Sequence, residues 1–223
     1  MFNKIKKIIM FLLFSWYRKG NRIYYYKDNK KYETFYIKGL TIRFKGKNSI
    51  IIIEKEINFK RRLFCNRSII KINGNYNIIK IHKTNYHITN LKIINIKNNN
   101  KLKIGKDFYQ TGKCIIDFCN LSNKTIKIGN NCMFGIDSRI MCGDFHKIYD
   151  LNNNKYINKP EKNIIIGNNV WLSREVLILK DAKIPNNTIV GARSVVTKEF
   201  IKENTIIAGI PSKIVKNNIK WEK

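Results

Sequence analysis

His146 ends the segment Gly143-Asp144-Phe145-His146. An imidazole in such a place can work as a general base near neutral pH, taking the proton from a hydroxyl as that oxygen attacks an electrophile. Asp144, two residues before it, can orient the ring or hold a substrate hydroxyl. The plainer alternative is a solvent-exposed loop histidine. Trp171 follows Val170 and precedes Leu172, so its ring is expected to point outward, as aromatics do at binding surfaces or under a packed neighbour. Lys198, Lys213 and Lys216 gather near the C-terminus, where a phosphate-bearing ligand would want charge; a solvated basic tail explains them equally well. His82 and His87, with His146, make three histidines, enough in number for zinc. They lie far from His146 in sequence and no further ligand accompanies them, so no metal is expected.

The element that must position these residues is a six-residue repeat. Ile166, Leu172, Ile178, Ile184, Val190 and Val196 are aliphatic and six apart, and Val170, Val176, Ala182, Thr188 and Ser194 are small or β-branched at a fixed offset. A helix needs apolar spacings of three and four, and a plain strand needs two. A period of six fits a β-helix in which each hexad lays one short strand along one face of a prism. The aliphatic then points inward and the small residue fills the corner.

The same register holds at Ile128, Phe134 and Ile140, with Cys132 and Ser138 in the small positions. Ile140 to Ile166 is 26 residues, one hexad plus 20, so a loop of about 20 residues is inserted, from 143 to 162. It carries Asp144, His146, the turn-like Asn152-Asn153-Asn154 and Pro160. Long loops in regular solenoids usually serve function or are disordered. Upstream, I-x-I pairs at 40–42, 50–52, 70–72, 79–81, 94–96 and 102–104 predict short strands in wider coils. The expected organisation is therefore a helical or irregular leader or cap at 1–36, a β-helix at 37–207 interrupted by the loop, and a cap at 208–223. The class is all-β, with short helical terminal segments.

Composition excludes little. The chain has 223 residues and a net charge of +29. That charge first suggests nucleic acid. Ile, Asn and Lys, whose codons are A/T-rich, dominate the chain, and the lysines look scattered rather than gathered with aromatics into one stripe. No nucleic-acid partner is expected, although the charge suits anionic lipid, glycan or phosphate. Five cysteines without C-x-x-C spacing read as buried thiols in a reducing cytosol. The basic Met1–Lys7 and apolar Ile8–Phe14 are too short to span a bilayer and lack a cleavage site. Two readings stay open, an interfacial helix at the cytoplasmic face of the inner membrane and a lid on the first coil hiding Phe11, Leu12 and Leu13.

Three segments then carry a resemblance. Ile166-Gly167-Asn168-Asn169-Val170-Trp171-Leu172, Val190-Gly191-Ala192-Arg193-Ser194-Val195-Val196-Thr197-Lys198 and Ala208-Gly209-Ile210-Pro211-Ser212-Lys213 resemble the hexapeptide-repeat acetyltransferases of the galactoside, maltose and serine type. Asp144-Phe145-His146-Lys147-Ile148-Tyr149 and the ending from Ile214 to Trp221 are most similar to the branch that O-acetylates polysialic acid and other bacterial surface glycans. The resemblance implies a left-handed β-helix, a homotrimer with active sites between prisms, an acetyl-CoA donor and a glycan acceptor in the cytoplasm. It implies His146 as the catalytic base and Trp171 lining the acceptor and thioester site. It places Arg174, Ala192, Thr197 and Lys198 at coenzyme A, and Lys213 and Lys216 at its nucleotide phosphates. Ser173 and Arg193 stand where the family has glycine and are expected to crowd the pantetheine groove. An N-acyltransferase of the same fold, a zinc hydratase like the prismatic carbonic anhydrases and a non-catalytic glycan-binding solenoid are the alternatives.

Overall fold

The structure, a computed structural model, describes residues 14–27, 30–54, 57–59 and 67–223. Phe11, Leu12, Leu13 and Cys65 lie outside the described residues, as does most of the basic and apolar leader.

What turns the chain is a left-handed backbone residue in each hexad. Asn131, Asp137, Asn169, Glu175, Asp181, Asn187 and Arg193 all have φ between +53° and +63°. Each directly precedes one of the small buried residues, and each closes one corner. Asn and Asp visit this region at the least cost among residues with a Cβ. The asparagine richness of the chain therefore has a structural use. Asparagines beside the corners also tie coil to coil. Asn130 Oδ1 accepts from Lys106 N (2.9 Å), Asn168 Oδ1 from Asn130 N (2.8 Å) and Asn186 Oδ1 from Asn168 N (2.7 Å).

Between corners the strands stack in parallel into three flat faces. The first runs from Lys183–Ile184 through Ile164–Ile166, Thr125–Ile128, Lys101–Ile104, Ile78–Ile81 and Ile50–Glu54 to Arg22–Lys27. The second holds Tyr109–Gln110, Met133–Phe134, Trp171–Leu172, Ile189–Val190 and Thr205–Gly209; the third runs from Val195–Val196 through Leu177–Ile178, Ser138–Met141 and Cys114–Asp117 to Leu40–Phe44. Parallel register stacks like on like. Ile53, Ile81, Ile104, Ile128, Ile166 and Ile184 form one inward file, each at most 2% exposed. Truncating such a residue to alanine typically costs about 2–5 kcal/mol. The expected all-β class holds, and the one helix among the described residues is Ser15–Arg18. Among those residues no helix is long and apolar enough to cross a membrane.

Two features differ from the sequence expectation. The leader is not helical or irregular beyond residue 21, because Arg22–Lys27 pairs in parallel with Ile50–Glu54 and then antiparallel with Lys30–Thr34. Ile23 is buried beside Ile51, so this strand belongs to the prism. At the other end Ser212–Asn217 turns back antiparallel on Thr205–Gly209. These hairpins close both ends of a solenoid whose open edges would otherwise invite strand addition. The lysines are also not scattered. Lys80, Lys103 and Lys127 sit directly opposite one another on adjacent strands of the first face.

His82 leaves this face half-buried, with Nδ1 2.8 Å from Glu54 Oε1. Its Nε2 is buried without a partner among the described residues. Burial, aided by the Lys80 and Lys103 ammoniums, holds the His82 pKa below its ordinary 6.5 despite Glu54. Burial acts to raise Glu54, but the Lys83 N–H and His82 carry it below its ordinary 4.5. Both shifts act with one sign. As pH falls below about 6.5 the unfolded chain takes up a proton at His82 that the folded chain resists, and at lower pH Glu54 adds to the loss. The melting temperature should therefore fall between pH 7.5 and 5.5, and His82→Gln should flatten that decline. Equal slopes in the two proteins would remove His82 from the explanation.

Candidate active site

The inserted loop springs from the corner between the third and first faces, after Ser138–Met141 and before Ile164–Ile166. Gly143 is buried there, and a Cβ on it would stand 2.8 Å from Leu121 Cδ1, so any other residue would have to displace that side chain. The loop is a hairpin. Tyr149 bridges Tyr156, Ile157 N donates to Ile148 O (3.0 Å), and Asp150 N donates to Lys155 O (2.9 Å). Its tip is built from Asx turns. Asn152 N donates to Asp150 Oδ1 and Lys155 N to Asn153 Oδ1, the turn that the asparagine run predicts.

A polar clamp closes the base of the hairpin. Asn158 Nδ2 donates to Asp144 Oδ2 (2.8 Å) and to His146 O (2.9 Å), while its Oδ1 accepts from Ile148 N (2.7 Å). Lys180, on the next coil, forms an ion pair with Asp144 and donates to Asn158 O (2.8 Å). Asp144 thus fixes the loop that carries His146, and its contacts are with Lys180 and Asn158 rather than with the ring. The imidazole is exposed and has no hydrogen-bond partner among the described residues. A free ring nitrogen on an anchored backbone is what a general base needs.

Trp171 faces outward from the second face but is half-covered. Its ring lies 6.0 Å from that of Trp221, whose Nε1 donates to Asn169 O (2.9 Å). The tail continues across this face until Lys223 Nζ donates to Asp107 O (2.7 Å).

The remaining expected residues divide between places. Arg174 and Ala192 lie at the corner between the second and third faces, one coil apart, with Arg193 N donating to Arg174 O (2.9 Å). Glu175 pairs with both guanidiniums there, Arg174 at 2.9 Å and Arg193 at 2.8 Å. The expected crowder Arg193 is thus held against a carboxylate of the neighbouring coil. Thr197 and Lys198 lie at the same corner as the His146 loop and Lys180. Lys213 and Lys216 are exposed on the edge strand of the second face, without a carboxylate partner among the described residues, which suits phosphate.

Sequence reasoning missed Lys180 and Asn158, since nothing local marks a lysine 36 residues away as a partner of Asp144. It also missed a cavity of about 430 Å³ on the third face, lined by Lys113, Ile115, Asp137, Ser138, Arg139 and Glu175. Arg139 there is anchored to the buried Asp117 at 2.9 Å.

The described cysteines are buried and free. Burial pushes Cys114 up to about 12 and Cys119 and Cys132 to about 11, and it raises Cys142 further. Such thiols stay protonated and do not serve as nucleophiles near neutral pH. His82 and His87 do not meet His146, and among the described residues no three metal-ligating side chains converge.

Lys180→Ala should loosen the hairpin without unfolding the prism. Loss of the Asp144 ion pair and of the hydrogen bond to Asn158 O, together about 1–2 kcal/mol, lowers amide exchange protection roughly 5- to 30-fold at Ile148 and Ile157. Coil amides such as Ile166 should be unchanged. Unaltered exchange in the loop would show that the clamp does not hold it.

No protein-family model matches the chain. It is 34% identical over 109 residues to the polysialic acid O-acetyltransferase of Escherichia coli O1:K1 / APEC, covering 49% of this chain and 33% of that protein. It is 36% identical over 96 residues to the polysialic acid O-acetyltransferase of Neisseria meningitidis, covering 43% of this chain and 44% of that one. It therefore spans less than half the length of these two curated relatives. The crystal structure of the polySia-specific acetyltransferase NeuO superposes with a TM-score of 0.68 at 24% identity, over 92% of this chain and 89% of that one, which shows the fold. By its repeats, its three-faced prism and these matches, the chain has the left-handed β-helix fold and is similar to the hexapeptide-repeat acetyltransferases.

Proposed function

We propose that the chain is an O-acetyltransferase that moves the acetyl group of acetyl-CoA to a hydroxyl of sialic acid or another capsule or lipooligosaccharide sugar. The observation that carries this is the free His146 imidazole at the mouth of a hairpin clamped by Asp144, Asn158 and Lys180. The imidazole takes the proton from the sugar hydroxyl as its oxygen attacks the thioester carbonyl. Backbone N–H groups along the coil edge stabilise the oxyanion. The C–S bond then breaks, and the imidazolium returns its proton to the departing thiolate. Protonated, buried cysteines favour this direct transfer over a covalent acyl-enzyme.

Coenzyme A would lie along the corner of Arg174 and Ala192 of one prism and near Thr197 and Lys198 of another, with Lys213 and Lys216 at its phosphates. That division suits a homotrimer, because these sets occupy different corners of a single chain. The hairpin supports the same reading. Phe145, Ile148 and Ile157 are each about half exposed and Leu151 is fully exposed, a run of apolar surface that a neighbouring prism would cover. Trp171 would line the acceptor and thioester site beside Trp221. The acceptor class rests on the names of the relatives, and use of acetyl-CoA places the reaction in the cytoplasm.

Incubation with acetyl-CoA and a panel of sialylated and neutral glycans, followed by mass spectrometry, tests the activity, and a panel without any acetyl gain would refute it. His146→Ala should lower kcat on the order of 10²–10⁴-fold with the fold intact by circular dichroism. A variant that keeps near-full kcat would remove His146 as the base. Lys213→Ala combined with Lys216→Ala should raise KM for acetyl-CoA roughly tenfold while changing kcat less, since phosphate contacts far from the thioester bind ground and transition states alike. Unchanged coenzyme A affinity would make those lysines ordinary surface charge.

A further inference from the structure

The first face of the prism carries charge in a pattern that composition does not explain. Its outward file reads Ile52, Lys80, Lys103, Lys127, Ile165, Lys183, each residue directly opposite the next. Lys101 lies beside it on the same strand as Lys103. Adjacent strands stand about 4.8 Å apart, so Lys80, Lys103 and Lys127 form a ladder of three ammoniums about 10 Å long, with Lys183 about 10 Å further along the axis. Like charges placed directly opposite across a sheet are destabilising.

Some cations elsewhere on the prism are paired with carboxylates. Lys113 meets Asp137, Lys162 meets Glu199 and Lys180 meets Asp144. Among the described residues none of Lys80, Lys101, Lys103, Lys127 and Lys183 forms an ion pair with a carboxylate, although Lys80 lies in the field of Glu54 and Lys183 in that of Glu199. Of the acids bordering the file, Glu54 is engaged by His82 and the Lys83 N–H, and Glu199, which bridges Lys183, is engaged by Lys162. The field of the file is felt at His82, whose protonation Lys80 and Lys103 oppose. The file also leads somewhere. Ile165 lies on the strand by which the inserted loop re-enters the prism, and Lys183 follows the corner that carries Lys180 and the base of the His146 hairpin.

We propose that this face is a docking track for a linear polyanion, an acidic polysaccharide lying along the prism axis and feeding the corner where His146 stands. Ammoniums at strand spacing along a straight, flat face complement a polymer with one negative charge per unit, and a single sugar would span only a fraction of the file. The track favours a polymeric acceptor over a monosaccharide, which reaches the corner without gaining from the file. Its identification as the acceptor rests on the function proposed above; the docking itself does not.

The test compares the full chain with Lys80→Gln/Lys103→Gln/Lys127→Gln and with the charge-matched Lys71→Gln/Lys92→Gln/Lys97→Gln, which removes lysines of the third face and its adjoining corner. Calorimetry with polysialic acid at several salt concentrations should show the ladder variant at least about tenfold weaker, its log–log salt slope smaller by about 2–3, from counterion release at three sites. The control should lose less than about threefold. With acetyl-CoA present, the ladder variant should show a raised KM for the polymer and unchanged kinetics on sialic acid monomer. Equal losses in the two variants, or none in the ladder variant, would overturn the proposal. So would selective loss of binding to phosphatidylserine vesicles or to duplex DNA with polysialic acid binding intact. If no glycan is acetylated by the parent chain while polymer binding still depends on the ladder, the track stands and the acceptor reading falls.

Discussion

The corner is the constraint on which everything else depends. In each hexad of the regular coils one residue must hold a left-handed backbone, and the residue after it must be small enough to fit inside the bend. Asn or Asp meets the first demand at most corners. Glu175 and Arg193 meet it at greater steric cost and pair with each other across adjacent coils. Once the corners are fixed, the faces are flat, the strands are in register, and any property of one outward position repeats along the axis. The isoleucine file inside and the lysine file outside are two results of the same arithmetic.

A rigid prism by itself offers flat faces with little to hold a reacting group. In the proposed mechanism chemistry comes from the insertion that interrupts the regular coils. The insertion puts an imidazole beyond the corner, and Asp144, Asn158 and Lys180 restore to the loop some of the fixity that it lost by leaving the coil. The clamp spends a carboxylate that could have faced the imidazole. In the proposed mechanism His146 would act as a lone base whose orientation comes from its backbone and from what binds beside it, rather than as part of an acid–base pair within the chain.

How much of this the sequence disclosed follows from how far each interaction reaches along the chain. The hexads from Ile128 onward give phase, inward residues and insertion bounds, because the repeat is local and unbroken. His146 is legible as the lone imidazole in the insertion. In the N-terminal half the paired residues are 28, 23 and 24 positions apart (Ile50 with Ile78, Ile78 with Lys101, Lys101 with Thr125) rather than the 18 of Ile165 with Lys183. With that offset unknown, the alignment of Lys80, Lys103 and Lys127 could not be foreseen. The strand Arg22–Lys27 was hidden because Arg-Ile-Tyr-Tyr-Tyr-Lys lacks a clean alternation. The Trp171–Trp221 contact spans fifty residues and depends on a tail that leaves the repeat altogether.

In the proposed mechanism the coils bring a thioester to His146. A crystal structure of the chain with coenzyme A bound tests it most directly. The expected result is the pantetheine thiol within hydrogen-bond reach of a His146 imidazole, the pantetheine arm passing the Arg174 and Ala192 corner of a neighbouring prism, and the nucleotide phosphates at Lys213 and Lys216. Coenzyme A bound at another face, with its thiol remote from every His146, would contradict it.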